Sequence, residues 1–198
     1  DSRQMGLFLE SKPVLKGMFD NIFAALPDGR VVAVLDDDGF RDPLYSIGDR
    51  PYFQRTLKQA RPVMSEPLMG RESRKSVIIL TMPVFDAAGK VRAVLGGALP
   101  LSMRGLMAEL DQDNSTDDQG GILTVVIDVN GRLAYHPDPQ WVLRDAADRP
   151  MLMAAMKEWE RQGRPVEPQG LSFIQGEYLV AMAGVPDADW VVIRVASL

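Results

Sequence analysis

Three times the chain places a glycine and a basic residue between two runs rich in β-branched and apolar side chains: Pro27-Asp-Gly-Arg30, Ala87-Ala-Gly-Lys90 and Val129-Asn-Gly-Arg132. The first joins Asn21–Leu26 to Val31–Leu35, the second joins 76–85 to 91–98, and the third lies inside 122–135. Glycine adopts positive φ without steric penalty, and Asn-Gly in particular signals a short hairpin with both turn residues at positive φ. Strands that arrive as hairpins pair antiparallel, and their helices pack to one side of the sheet. The expected class is therefore α+β.

The pattern occurs in two halves of similar order. A hairpin, a loop and a helix near 51–60 precede the long strands near 76–99; a hairpin near 122–135, a loop and a helix near 150–162 precede strands near 170–175, 177–184 and 190–196. Pro150 suits a first helical position and Gly163 a helix end. Between the halves, residues 111–121 are polar and turn-rich and read as a linker. Met5, Phe8, Leu9, Leu15, Met18 and Phe19 recur at helical spacing, interrupted at Pro13. The expected division is a helix over 1–19, one module over 20–112 and a second over 113–198. Gly96-Gly97, inside a strand, points to close packing or a bulge rather than to a phosphate loop.

Composition removes several functions. The 198 residues carry 22 Lys and Arg against 27 Asp and Glu, a net charge of −5 with no basic stripe, which argues against nucleic acid as a partner. There is no cysteine, so disulfides and thiolate chemistry are excluded, and His136 is the only histidine. No apolar stretch reaches the roughly 20 residues of a membrane span. A start without Met and an end on the apolar strand Trp190–Val195 suggest a domain cut from a longer chain.

The first half resembles a known family. A strand–x-Gly-Arg–strand hairpin is followed by Arg50-Pro-Tyr-Phe53, Ser65-Glu-Pro67, and Pro83-Val-Phe-Asp-Ala-Ala-Gly-Lys-Val-Arg-Ala-Val-Leu-Gly-Gly97. This resembles the double Cache family of bacterial extracytoplasmic sensor domains, as does the later Gly131-Arg-Leu-Ala-Tyr-His-Pro-Asp-Pro139. The resemblance covers about residues 15–198. It implies two tandem PAS-like modules along a long N-terminal helix, a small-molecule ligand in the first module, and a periplasmic location. It also implies flanking transmembrane helices leading to a chemoreceptor, histidine kinase or diguanylate cyclase output, with the wording closest to the cyclase-linked versions. The apolar residues of the N-terminal helix would supply either a homodimer seam or packing onto the chain's own sheet.

In amino-acid-binding members a Tyr and an Arg-x-Trp-Tyr cluster hold the ligand carboxylate, and two Asp hold its ammonium. Tyr45 and Arg50 match the first Tyr and the Arg, while Tyr52 and Phe53 stand where Trp and Tyr are usual. A guanidinium fork suits a carboxylate, and aromatic faces keep water from it. The resemblance puts the two Asp positions near Gly70 and Leu99, neither of which can hold an ammonium group, so the ammonium-binding half is missing. An unpaired ammonium in a closed pocket is costly, and the expected ligand is a carboxylate or other small polar metabolite, not a standard α-amino acid. Arg71 could add positive charge, Thr81 could face the pocket, and Leu99 would line it.

Other features read as structural. Asp36-Asp-Asp38 lacks the spaced oxygens of a calcium loop and is expected to be a solvated turn. Met151, Met153, Met156 and Trp159 are expected to be core, not a cofactor box. The only triad available, His136 with Ser172 and Asp138, lacks a nucleophile elbow. No metal, no cofactor and no catalysis are expected.

Overall fold

The computed structural model describes residues 17–43, 45–101, 121–186 and 188–198. Most of the helix expected over 1–19, and all but the last residue of the linker expected over 111–121, lie outside them. The chain divides into two units, Asp1–Pro100 and Leu101–Leu198.

In the first unit the strands are β1 (Asn21–Ala25), β2 (Val31–Asp36), β3 (Gly39–Arg41), β4 (Val63–Met64), β5 (Leu68–Met69), β6 (Ser76–Phe85) and β7 (Val91–Pro100). They form one antiparallel sheet in the order β3-β2-β1-β7-β6-β4, with β5 also on β6. The acidic run 36–38 is the tight connection between β2 and β3, closed by Asp38 N–H donating to Asp36 Oδ1. Helix α1 (Pro51–Gln59) lies against β6 and β7. Pro51 opens it where no amide donor is needed, and Ala60 ends it in the left-handed region at φ 51°, its N–H donating to Thr56 O.

Register decides which side chains meet α1. Phe23 pairs with Gly96, Ala98 with Ile79, and Gly96 with Thr81, so these positions share the helix side of the sheet. Phe23, Val77, Ile79, Val94 and Ala98 pack there with Ile47, Tyr52 and Phe53. Alternation sends Ile22, Leu35, Phe40 and Leu95 to the other face, with Phe19. A Cβ at Gly96 would lie 2.2 Å from the Phe23 ring, and one at Gly97 2.5 Å from the Phe19 ring. The glycine pair thus lets one aromatic ring lie against each face of β7, the close packing that the sequence suggested.

In the second unit β8 (Ile122–Ile127), β9 (Leu133–Tyr135), β10 (Leu171–Gln175), β11 (Tyr178–Val185) and β12 (Trp190–Ser197) form an antiparallel sheet in the order β10-β11-β12-β8-β9. Helix α2 (Pro150–Arg161) buries Leu152, Ala155 and Trp159 against Val125, Ile127, Val180, Ile193 and Val195. Met151 and Met156 pack on the edge of this core, as their spacing predicts.

The hairpin turns differ from expectation in one respect. At Asp128–Arg132, Gly131 has φ 80°, whereas Asn130 is not among the residues at positive φ. The pairing shifts by one residue between Val126 and Ile127, as it does between Val84 and Phe85 and between Ala24 and Ala25. These are longer, bulged turns, in which one glycine supplies the left-handed residue. Asp128 Oδ1 accepts from Asn130 N–H at 2.9 Å and Arg132 N–H at 2.8 Å, and Asp86 does the same for Ala88 and Lys90. The preceding aspartate, not the Asn, is the side chain that fastens the turn.

The two units share a backbone frame from this turn into the helix. Leu26 N–H donates to Arg30 O, Val31 N–H to Tyr45 O, Ile47 N–H to Gly29 O and Arg50 N–H to Ile47 O. The second unit repeats the set as Asp128 to Arg132, Leu133 to Arg144, Ala146 to Gly131 and Arg149 to Ala146. Both helices then begin on Arg-Pro, making Arg50 and Arg149 equivalent positions.

Candidate functional site

The start of α1 gathers most of the residues singled out from sequence. Arg50 is the N-cap, extended at φ −78° and ψ 128°, with no side-chain cap bond. Its guanidinium is half-buried and makes no hydrogen bond or ion pair among the described residues, although it acts electrostatically on Asp49 and Tyr52. Four N–H groups at a helix start lack helical partners and carry partial positive charge, so Arg50 adds a full charge where the backbone already favours an anion.

Asp49 pairs with Arg71 rather than with Arg50. Arg71 Nη2 donates to Asp49 Oδ2 at 2.6 Å, and its Nη1 donates to Ser46 O. This bond holds the exposed Asp49 carboxyl below its usual range and raises Arg71. A second ion network stands beside it. Arg41 Nε and Nη2 donate to Asp36 Oδ2 at 3.1 and 2.9 Å, and its Nη1 donates to Glu72. Glu72 faces Tyr45: burial first, then the Glu72 charge and hydrogen bonding to it, push the Tyr45 phenol above its ordinary range. Burial pushes Tyr52 up to about 12, with Arg50 and Arg71 pulling against it. Both phenols are therefore neutral donors at physiological pH.

The floor below is closed. Tyr52 is 5% exposed and Phe53 1%, and both belong to the core. Thr81 lies under α1: its Oγ1 is 2.6 Å from Thr56 Oγ1 and donates to Val63 O at 3.0 Å, while Thr56 Oγ1 donates to Tyr52 O at 2.9 Å. Two hydroxyl protons serve three contacts, so the pair forms a small buried network between helix and sheet. Thr81 also borders an apolar cavity of about 430 Å³ that includes Phe19, Ile22, Leu80 and Met82.

The structure brings Tyr45, Arg50, Tyr52 and Arg71 together, with Phe53 and Thr81 beneath them. It does not bring Leu99 to the group. Leu99 pairs with Ile78, one step out of phase with Ala98 and Gly96, and so points to the opposite face of the sheet. Gly70 is buried in a turn where Gly70 N–H donates to Lys75 O, and a Cβ there would sit 2.4 Å from Ser73 Oγ. Neither position offers a carboxylate to an ammonium group. Sequence reasoning missed Arg41, Glu72 and the Asp49–Arg71 pairing, which join residues 22 and 31 positions apart.

The equivalent position in the second unit is built differently. The Arg149 guanidinium carbon sits 4.0 Å from the Trp141 ring centroid, and Nη2 lies 3.4 Å from His136 Nε2. His136 is 6% exposed, and its Nδ1 accepts from Asp138 N–H at 3.0 Å. Burial, then the Arg149 cation, hold the imidazole below its ordinary pKa. The Asp138 carboxylate accepts from Gln140 N–H and caps a short turn, and Ser172 is exposed on β10, paired with Ala181. The acid of the only possible triad is thus engaged with backbone, not with the imidazole.

The Cache domain family (dCache_1) matches residues 1–198. The chain belongs to the dCache_1 family. Among solved structures, the periplasmic sensory domain of the Campylobacter jejuni chemoreceptor Tlp1 is similar with a TM-score of 0.69 and 18% identity, over 100% of this chain and 80% of that one. The ligand-binding domain of the Pseudomonas aeruginosa PAO1 chemoreceptor PctC, in complex with GABA, gives 0.65 and 19% over 100% and 82%. The ligand-binding domain of Mlp24 with asparagine gives 0.62 and 18% over 99% and 79%. No curated protein matches the sequence. The fold of this Cache domain is thus that of chemoreceptor ligand-binding domains, a class of sensor module that is generally non-catalytic and typically periplasmic. No described helix is long and apolar enough to cross a membrane.

Proposed function

We propose that the first unit of this Cache domain binds a small carboxylate, or a similarly anionic polar metabolite, at Arg50, Tyr45, Tyr52 and Arg71, and that it rejects standard α-amino acids. In this reading the domain lies in the periplasm and passes the binding event across the membrane to a cytoplasmic output domain. One observation carries it: Arg50 alone among Arg41, Arg50 and Arg71 has no carboxylate partner among the described residues, and it stands at a helix start. Rejection of an α-ammonium group follows from charge accounting. Asp49 and Glu72, the acids nearest the phenols, are each bound by an arginine, and Gly70 and Leu99 provide none. Signalling requires the ligand to bind two arrangements of the domain unequally.

A thermal-shift screen of organic acids against amino acids tests this reading. Stabilisation by acids lacking an α-amine is expected. Stabilisation by α-amino acids alone contradicts it. The burial of Tyr52 and Phe53 and the commitment of Thr81 to Thr56 favour a second reading, an interaction or dimerisation module with a vestigial pocket. That reading predicts no response to any small molecule.

A further inference from the structure

His136, the only histidine of the chain, follows β9 and is 6% exposed. Its Nδ1 lies 3.0 Å from Asp138 N and 3.2 Å from Asp138 O, and its Nε2 lies 3.4 Å from Arg149 Nη2. A neutral imidazole donates from one nitrogen and accepts at the other. When Nδ1 accepts from Asp138 N–H, the Nε2 proton faces the guanidinium; when Nε2 accepts from Arg149, Asp138 N–H loses this acceptor. Either form is tolerable because the ring is uncharged. A doubly protonated ring is not: Nδ1–H keeps Asp138 O, but Nε2–H then sets one cation against another at 3.4 Å.

No carboxylate relieves that clash. Among the described residues the charges acting on the ring are those of Arg149 and Asp138, with Arg149 the stronger. Asp138 spends Oδ1 on Gln140 N–H at 2.9 Å, Asp145 spends Oδ1 on Ala147 N–H at 2.8 Å, and Asp148 is exposed. Arg144, 5.5 Å from the Trp141 centroid, adds a second positive charge to the same loop. A histidine set beside a carboxylate is stabilised on protonation, whereas one set beside an arginine repels it. Arg149 is the group able to yield. It has no ion pair among the described residues, its Nε is buried without a hydrogen-bond partner, and its guanidinium carbon rests 4.0 Å from the Trp141 centroid. The loop between the two residues also holds strain, because Leu143 sits at φ 70°, a left-handed backbone that bulky side chains rarely adopt.

We propose that His136 is an acid-sensitive switch within the second unit: on taking up a proton it drives the Arg149 guanidinium off Trp141 and rearranges the loop 138–149 while the sheet stays folded. The device is independent of Arg50, since the first unit has no histidine. Proton and nitrogen NMR of the intact chain from about pH 7.5 to about pH 4.5 tests it, with a single imidazole to follow. The His136 ring titrates below pH 6.5, and the Trp141 indole N–H and Arg149 Nε–H signals move with the same midpoint. The Trp159 and Trp190 signals stay fixed. In Arg149→Gln the histidine titrates at least about half a pH unit higher, because the opposing cation is gone. In His136→Gln the Trp141 and Arg149 signals no longer respond to pH. Should His136→Gln fail to fold, Arg149→Gln decides alone. Trp141 and Arg149 signals that ignore the titration, a midpoint unchanged in Arg149→Gln, or acid unfolding before the histidine titrates overturns the proposal.

Discussion

Arg50 and Arg149 sit on the same backbone frame, each following an aspartate, preceding a proline and opening a helix, yet their guanidinium groups have different employment. Arg149 sits over the Trp141 ring and against a buried histidine. Among the described residues Arg50 has neither an aromatic plate nor a carboxylate. The difference comes from the loop ahead of the helix. In the second unit that loop carries Trp141 and Arg144, while in the first it carries Tyr45, beside Glu72 and Arg41. One unit has turned the arginine into packing, and the other leaves it half-buried near the Tyr52 phenol, without a hydrogen bond or ion pair among the described residues. If the proposed function holds, the repeated frame carries a structural group in one copy and a recognition group in the other.

The comparison breaks most visibly on removal of the plate. Trp141→Ala deletes a half-buried indole and its stacking on Arg149, and is expected to cost about 2–4 kcal/mol in denaturant unfolding. Arg149→Ala follows at about 1–2 kcal/mol, while Arg50→Ala stays within about 0.5 kcal/mol because it removes no packed contact. Equal losses from the two arginines would mean that they do the same work.

A third test concerns protonation. His136 has a folded-state pKa below its unfolded value near 6.5, so the unfolded chain binds the proton first. Stability is therefore full above about pH 6.5 and declines as pH falls through that value toward the lower folded pKa. In His136→Gln the fall in melting temperature between pH 7 and 5 should become shallower. The first unit has no histidine and gives no such slope. The smallest effect lies under α1. Thr56→Val and Thr81→Val should each cost about 1 kcal/mol, and the double mutant less than their sum, since one network is lost twice.

Much of this was legible in the sequence because its signals are local. Glycines at 29, 89 and 131 mark the three hairpins expected from the glycine–basic turns, and Arg-Pro marks both helix starts. The strands expected from the sequence begin and end within two residues of expectation for the same reason, whereas the short β3, β4 and β5 were not expected. The face on which Leu99 lies was not legible. One bulge inverts which residues face a helix, and the register of β6 on β7 shifts between Val84 and Phe85. Nor could the Arg41–Glu72 and Arg71–Asp49 pairs be read, since they join loops far apart in sequence. One signal was available and unused. Asp49-Arg-Pro51 recurs as Asp148-Arg-Pro150, and that repeat alone pairs the two arginines.

The central claim is that Arg50 is held free for an anion, and ligand titration of the wild type beside Arg50→Ala tests it most directly. The probe is the most stabilising organic acid of the thermal-shift panel, and affinity is read by calorimetry. Loss of a guanidinium–carboxylate contact of about 1.5–3 kcal/mol predicts affinity roughly 10- to 100-fold weaker in Arg50→Ala, with the unliganded melting temperature preserved. Undiminished affinity in Arg50→Ala would contradict the account.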